Sequence, residues 1–223
     1  VVTQVRNVGG NSFELRVARA DGQTGAVSPV TVTYLVVEAG VYTQAEHGIT
    51  LEAVTFTSRL TDGPGAWLGT TRSYANSYTN PVVLGQVMSA NDADSSVFWR
   101  AGASTSQPAS ASALRVGKHV GEDPDTTRTN ETIGYVVIEA GQYPRGSETW
   151  VAGRGAATVL GMGNSPPYSY SVSGLATART AVATQAAMAG GNGGWAVLYG
   201  AGAISASTLQ LAVDEDQILD TER

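Results

Sequence analysis

Side chains that commonly carry out chemistry are scarce in this sequence of 223 residues. Histidine occurs twice, as His47 and His119, and cysteine is absent. A serine–histidine–acid site would need one of these histidines beside a nucleophile, and the chain contains no Gly-x-Ser-x-Gly elbow. A metal site built on histidine or thiolate ligands also lacks the residues that it needs. The sequence therefore predicts neither a hydrolase of this class nor a resident metal.

Pairs of carboxylates could in principle hydrolyse a glycosidic bond. The most regularly placed acids, Glu38 and Glu139, lie 101 residues apart, and each ends an apolar run. We interpret them as strand-end residues that cap a turn in two copies of a repeat. Together with the scarcity of histidine, this predicts a protein that is not an enzyme and that binds no cofactor.

Two stretches, 121–132 and 214–223, concentrate Asp and Glu. Because calcium binds oxygen ligands at relaxed geometry, a calcium site is one interpretation of these stretches. Neither has the spacing of an EF-hand loop, and the favoured interpretation is that their charges keep sheet edges from pairing with other chains. A single glycosylation triplet at 130–132 is close to chance expectation.

Composition argues against two classes of partner. Charged residues make up 14% of the chain, the net charge is −6, and Lys118 is the only lysine. The chain has no basic stripe, so nucleic acid is not a predicted partner. No apolar run approaches the roughly 20 residues of a membrane-spanning helix, so no membrane span is predicted. A hydrophobic content of 42% is sufficient for a buried core.

The sequence segments that would form the framework of a binding site occur more than once in the chain. The string TYLVVEAGVY occupies 33–42, and GYVVIEAGQY occupies 134–143. Tyr34, Glu38 and Tyr42 each lie 101 residues before their counterparts. A repeat of this kind decides how the rest of the chain is interpreted, because each copy is expected to fold in the same way.

Other strings recur at nearly the same period. Apolar residues alternate with polar ones at 12–17, 112–116 and 207–213, and Leu211 of the third copy is matched with Leu15 of the first. Alternation with a period of two predicts strands. The unit is therefore about 100 residues long. In the middle copy the predicted strands are A near 53–58, B near 82–88, C near 97–101, D near 113–116 and E near 133–139.

Strand E is almost continuously apolar, which predicts a central strand covered on both faces. The stretch 175–189 is rich in alanine, but its match to strand B predicts a strand there as well. Short strands separated by turn residues are typical of β-sandwiches, so the predicted fold is all-β, with tandem antiparallel sandwiches. The predicted domains are a partial sandwich at 1–41 (strands C to E), a complete one at 42–143, and a partial one at 144–223 (strands A to D, lacking strand E).

The string PVVLGQV at 81–87 is followed by an aromatic-rich strand, an ALRV-type strand, an acidic loop and then ETIGYVVIEAG at 131–141. This order resembles that of H-type lectin domains, such as the discoidin C-terminal and snail agglutinin modules. The resemblance is fullest over roughly 41–142 and implies antiparallel sandwiches of six strands. The repeated strings of this chain also resemble those of long, repetitive bacterial secreted or surface proteins. This resemblance implies an extracellular or cell-surface location.

The same resemblance implies a carbohydrate site at the loop ends of the sandwich. Family members use an aromatic residue and a histidine just after the strand equivalent to D, with an acidic loop residue. Lys118 and His119 occupy that position here as donors to sugar hydroxyls, with Asp92 or Asp94 as acceptors, while the aromatic residue is missing. The alternative interpretation is a solvated loop without a ligand.

Several aromatic residues fall in the predicted loop between strands A and B, among them Trp67, Tyr74 and Tyr78. Exposed rings stack on sugars in many carbohydrate-binding modules. The favoured interpretation for an array is that they cover a sandwich end or pack against the neighbouring repeat.

Compared with the middle copy, the first copy begins near strand C and the third stops before strand E. A sandwich without its central strand exposes apolar surface and unpaired backbone groups, which invites strand addition. Either the sequence is a window cut from a longer array, or subunits join head to tail with the stretch 30–40 as donor strand. The predicted donor residues are Val32, Tyr34, Val36 and Val37.

The sequence thus favours a non-catalytic extracellular module that forms a surface fibre or adhesin, because similar sandwiches in series give length at small sequence cost. Its predicted partners are other copies of itself or neighbouring repeats. The alternative is a carbohydrate-binding, lectin-like array that recognises glycans through its loop ends and gains avidity from many weak sites.

Overall fold

The computed structural model describes residues 1–19, 26–205 and 207–219. It is nearly all β, with 40% strand and 3% helix, which confirms that the fold is all-β. A four-residue helix, α1 (Gln44–His47), and a 3-10 turn at Met162–Asn164 are also present. No helix in these three ranges is long and apolar enough to cross a membrane. The strands are β1 (Val2–Arg6), β2 (Glu14–Ala18), β3 (Gly40–Tyr42), β4 (Leu51–Ser58), β5 (Thr61–Asp62), β6 (Thr70–Arg72), β7 (Pro81–Val87), β8 (Val97–Ala101), β9 (Leu114–His119), β10 (Glu131–Glu139), β11 (Gly141–Arg145), β12 (Glu148–Ala152), β13 (Tyr168–Ser171), β14 (Trp195–Leu198) and β15 (Thr208–Asp214).

The middle region, residues 40–139, contains two sheets. Sheet 1 has the antiparallel order β3-β4-β10-β7. In sheet 2, β9 pairs with β8 along one edge and with β6 and β5 along the other, and the β5–β9 pair is parallel. Strands β4, β7, β8, β9 and β10 lie where A to E were predicted, so those five predictions are confirmed.

The two sheets of the middle region pack against each other through one apolar cluster, the arrangement of a β-sandwich. Strand β10 contributes Ile133, Tyr135 and Val137, which alternate along the strand and face this cluster. Its other face is covered too, since Ile138 is buried in a second cluster with Tyr143 of β11. The prediction that strand E is covered on both faces is confirmed. The buried members of the first cluster are Tyr78, Val83, Val87, Phe98, Ala109, Leu114, Val116, Ile133, Tyr135 and Val137.

The antiparallel β8–β9 pairing has a counterpart on each side of the middle region, in β1–β2 and in β14–β15. A tight turn precedes both β9 and β15, with Ser110 N–H donating to the carbonyl of Ala113 and Ser205 N–H to that of Thr208. This places Leu209, not Leu211, where Leu114 lies in β9. The predicted match of Leu211 with the first leucine of strand D is therefore wrong by two residues.

Two predicted strands do not form. Residues 30–39 pair with no strand, and residues 175–189 form neither a strand nor a helix. The physical reason is shared: a strand needs a neighbour to satisfy its backbone groups. Strand β7, the counterpart of 175–189, pairs with β10, and no strand like β10 lies beside 175–189 within the described ranges.

Candidate functional site

The structure places Lys118 and His119 at the end of β9, with no exposed surface on either side chain. Lys118 Nζ donates to Thr61 Oγ1 at 2.6 Å and to the carbonyl of Thr129 at 3.4 Å. Burial lowers the pKa of Lys118, and nearby acids oppose that effect. These contacts make Lys118 a structural cross-link between neighbouring chain segments.

His119 faces the opposite side of β9, as the period of a strand requires. Its Nδ1 accepts the N–H of Gly121 at 3.0 Å, and its ring meets Trp67 edge-to-face at 5.4 Å. Burial lowers the pKa of His119 to about 4, so the imidazole is neutral at pH 7. Trp67 is itself buried and packs against Trp99 in a cluster with Met188, on the face of sheet 2 that points away from the apolar cluster between the two sheets.

The two acids of the predicted carbohydrate site lie at the surface. Asp92 Oδ2 accepts the N–H of Thr129 at 2.7 Å, and such backbone hydrogen bonds lower the pKa of Asp92. Asp94 is exposed, and both acids line a shallow open cleft with Glu131 and Arg16. The structure therefore separates the four predicted residues: Asp92 and Asp94 are accessible to a ligand, while Lys118 and His119 are enclosed.

The predicted donor segment lies outside every sheet of the described structure. Residues 30–39 match β10 position by position at a spacing of 101, so Val32, Tyr34 and Val36 correspond to Ile133, Tyr135 and Val137. The last three are at most 3% exposed, whereas Tyr34 is 62% and Val36 66% exposed.

The donor segment contacts three other parts of the chain. The Tyr34 ring meets Phe13 edge-to-face at 5.3 Å, Thr33 Oγ1 donates to the carbonyl of Ala181, and Val37 packs against the cluster around Ile138. The side chains of Tyr34 and Val36, which correspond to core residues of β10, are nevertheless exposed.

The turn that follows the donor segment is already formed. Tyr42 Oη donates to the carbonyl of Glu38 at 2.8 Å, and Tyr143 Oη donates to the carbonyl of Glu139 at 2.5 Å. We call this contact the tyrosine turn. An antiparallel hairpin follows the turn in both cases, with Gly40 paired to Ala53 and Gly141 paired to Ala152. The chain therefore leaves the donor segment in the same way as it leaves β10.

The C-terminal region, residues 141–219, contains one sheet like that of the middle region and lacks the other. Sheet β13-β15-β14 has the same order as β6-β9-β8. Two segments of the C-terminal region correspond to parts of sheet 1. The hairpin β11–β12 is formed, whereas residues 181–187 are half-buried and pair with no strand. In the middle region β10 lies between β4 and β7. By sequence correspondence we expect an added strand between β12 and 181–187, and we call this expected position the acceptor groove.

One wall of the acceptor groove is held against the middle region. Arg100 is almost fully buried and donates to Thr184 Oγ1 at 3.4 Å and to the carbonyl of Ala186 at 3.3 Å. Thr184 in turn donates to the carbonyl of Val83 at 3.0 Å, and the Met188 side chain is buried beside Trp99. Sequence reasoning missed this contact, although an arginine within the apolar string VFWRA was a signal of a special role.

Glu139 ends β10 and accepts the backbone N–H groups of Thr79 and Asn80, each at 2.8 Å. This confirms its interpretation as a strand-end residue that caps a turn. Within the part of the chain that the structure describes, no group of three or more His, Asp or Glu side chains could hold a metal ion.

Comparisons of the chain with protein-family models, with curated proteins and with solved structures found no match. The resemblance to H-type lectin domains therefore rests on the residues of this chain alone, and it stays a prediction.

Proposed function

We propose that this chain is a non-catalytic, tandem-repeat module of an extracellular or cell-surface fibre or adhesin. Each repeat is a β-sandwich of about 100 residues. Copies join head to tail when the donor segment of one copy adds to the acceptor groove of the next as the missing central strand. The observation that carries this proposal is the exposure of Tyr34 and Val36, whose counterparts Tyr135 and Val137 are core residues.

The energy of such an addition has two sources. The first source is backbone hydrogen bonding. Strand β10 indicates how many such bonds an equivalent strand could form, since it pairs with β4 and β7 along most of its length. Burying an exposed side chain the size of valine contributes about 1.5–3 kcal/mol. Tyr34 and Val36 are exposed and would provide most of this apolar contribution, since Val32 is already half-buried. The tyrosine turn, which is already formed, lowers the conformational entropy that the addition costs.

The cell-surface location is supported by the resemblance to modules of secreted repetitive proteins and by the length that serial sandwiches provide. Heterologous contacts of this kind propagate into open filaments, which is the geometry of a fibre.

Self-complementation tests the proposal. A variant carries a second copy of residues 29–43 after residue 223, joined by a flexible Gly/Ser linker. We expect the parent chain to form concentration-dependent head-to-tail polymers in light scattering and electron microscopy, and the variant to be monomeric and to melt at a higher temperature. The matched control places Asp at the Val36 position of the added copy and should behave like the parent. A parent chain that is monomeric at all concentrations and an added segment that leaves the melting temperature unchanged would refute strand complementation.

A carbohydrate-binding array is the second candidate. The observation that favours it is the accessible cleft lined by Asp92 and Asp94. Binding to a glycan array that free sugar competes, and that Asp94→Asn abolishes, would support this function. Binding that survives this substitution would exclude the cleft as the glycan site.

A further inference from the structure

The end of the central strand is anchored in the middle region. Both carboxylate oxygens of Glu139 accept backbone N–H groups, from Thr79 and Asn80, at 2.8 Å each. These two residues immediately precede β7, whose first residue, Pro81, lies opposite Glu139. The carboxylate thus ties the last residue of one strand to the first residue of its neighbour. Charge-assisted hydrogen bonds of this type are stronger than those between neutral groups.

The donor segment ends with the same residue. Glu38 lies 101 positions before Glu139 and is exposed in the described structure. The counterparts of Thr79 and Asn80, by the spacing of 99 between the matched glutamines, are Ala178 and Arg179. Arg179 is also exposed. The residue that corresponds to the neutral Asn80 is therefore a cation, Arg179.

An anchor is needed because the apolar pattern alone does not select one register. Val32, Tyr34 and Val36 alternate along the donor segment, so a slip by two residues keeps the same set of side chains on the same face. A carboxylate that must meet two particular N–H groups removes this ambiguity, because it fits at one position.

The described structure contains one contact that departs from the register of β10. Thr33 Oγ1 donates to the carbonyl of Ala181 within the same chain. In the middle region Ile138 lies opposite Val82, and the counterparts of these residues are Val37 and Ala181. The register of β10 thus places Val37, not Thr33, opposite Ala181.

We infer that Glu38 fixes the register of the added strand by accepting the backbone N–H groups of Ala178 and Arg179 in the next copy. The Arg179 guanidinium supplies an opposite charge beside the same carboxylate. This inference rests on the proposed function and adds the residue that selects one pairing among those that the apolar side chains permit.

Disulfide trapping tests the inference, since the chain has no cysteine of its own. One population of the full chain carries Val37→Cys and the other Ala181→Cys, and they are mixed in a glutathione redox buffer. Mass spectrometry then measures the mixed disulfide between copies. A third population with Leu35→Cys reports a register that has slipped by two residues. We expect the 37–181 disulfide to form and the 35–181 disulfide to be rare.

Two substitutions then separate the anchor from strand addition itself. In the Val37→Cys chain, Glu38→Gln should lower the yield of the 37–181 disulfide about tenfold, because charge-assisted bonds are lost, and should raise that of the 35–181 pair. The matched control Glu139→Gln weakens the same anchor inside the middle region and should leave the 37–181 yield unchanged. Val36→Asp should abolish both disulfides.

The outcomes are distinguishable. If Glu38→Gln leaves both yields unchanged while Val36→Asp abolishes them, strand addition stands and the role of Glu38 is refuted. If neither disulfide forms between copies of the otherwise unaltered chain, both the inference and the proposed function are refuted.

Discussion

The middle and C-terminal regions start from similar sequences and reach different degrees of completion. Both build the sheet in which one strand, β9 or β15, is paired along both of its edges. In the middle region Leu114 and Val116 of β9 are essentially inaccessible, whereas Leu209 of β15 remains half-buried. The difference follows from the second sheet, which is complete around β10 in one region and lacks a central strand in the other. One sheet of the sandwich can form from neighbouring strands, while the other depends on a single strand distant in sequence.

A second comparison sets residues 30–39 of the N-terminal part against β10 of the middle region. They carry almost the same string as β10, yet they pair with no strand in the described structure. Strand propensity describes how a residue fits a pleated, half-buried surface, and that surface must be supplied by neighbours. The same residues are therefore a buried strand in one setting and an exposed segment in the other.

The largest expected effect comes from placing a charge at matched positions in these two settings. Val137→Asp should destabilise the middle region by at least about 4 kcal/mol, because it buries an unpaired carboxylate in the core. Val36→Asp should change the stability of the dilute chain by less than about 0.5 kcal/mol, as surface substitutions usually do. Urea unfolding of both variants, monitored by tryptophan fluorescence, measures the difference. Equal losses would show that 30–39 is part of a folded core within one chain.

The next effect concerns acid stability and belongs to the middle region alone. His119 pairs with Val97 in β8–β9, and Asp214 takes the corresponding place opposite Trp195 in β14–β15. Because the folded pKa of His119 is about 4 and the unfolded one is 6.5, the unfolded chain binds the proton first as the pH falls. The contribution of His119 is present above pH 6.5 and is lost between 6.5 and 4, to an extent of roughly 3 kcal/mol.

The control for this effect is His119→Gln, which cannot titrate. The unfolding free energy of the parent should fall more steeply between pH 6.5 and 4 than that of the variant. Parallel curves for the two proteins would contradict the burial of a neutral imidazole.

A smaller effect is expected from truncating matched leucines. Leu114→Ala should cost about 3 kcal/mol, within the range for a fully buried leucine. Leu209→Ala should cost about 1 kcal/mol, because the half-buried site has solvent to fill the space. The difference of about 2 kcal/mol should shrink once the acceptor groove is filled by an added copy of 29–43. If filling the groove leaves the cost at Leu209 unchanged, its side chain does not face the core that the donor completes.

Much of this fold follows from patterns in the sequence. Alternating apolar residues located β9, and the apolar run at 133–139 located a central strand with both faces covered. The absence of strands at 30–39 and 175–189 could not be predicted in the same way. Whether these residues form strands depends on the presence of a partner strand, and the local sequence pattern does not show whether one is present.

The candidate carbohydrate site shows a second limit of prediction from the sequence. The string VGKHVGED looks like a polar loop, but β9 continues through Lys118 and His119, and both side chains are buried on opposite faces of the strand. The hydroxyl and carbonyl oxygens that satisfy Lys118, on Thr61 and Thr129, come from other strands and loops. Sequence alone gives no indication that these partners converge.

The tyrosine turn has a consequence for shape at large scale. It occurs after residue 38 and again after residue 139, with the same contact and an antiparallel hairpin after it in both cases. If every sandwich follows its predecessor through this turn, each step is the same rotation and translation, and the assembly is a screw with one pitch and one handedness. Any small change in the angle of the turn is then multiplied by the number of steps. In such an assembly, removing the hydroxyl with Tyr42→Phe or Tyr143→Phe would alter the pitch while keeping the ring that packs in the cluster around Ile138.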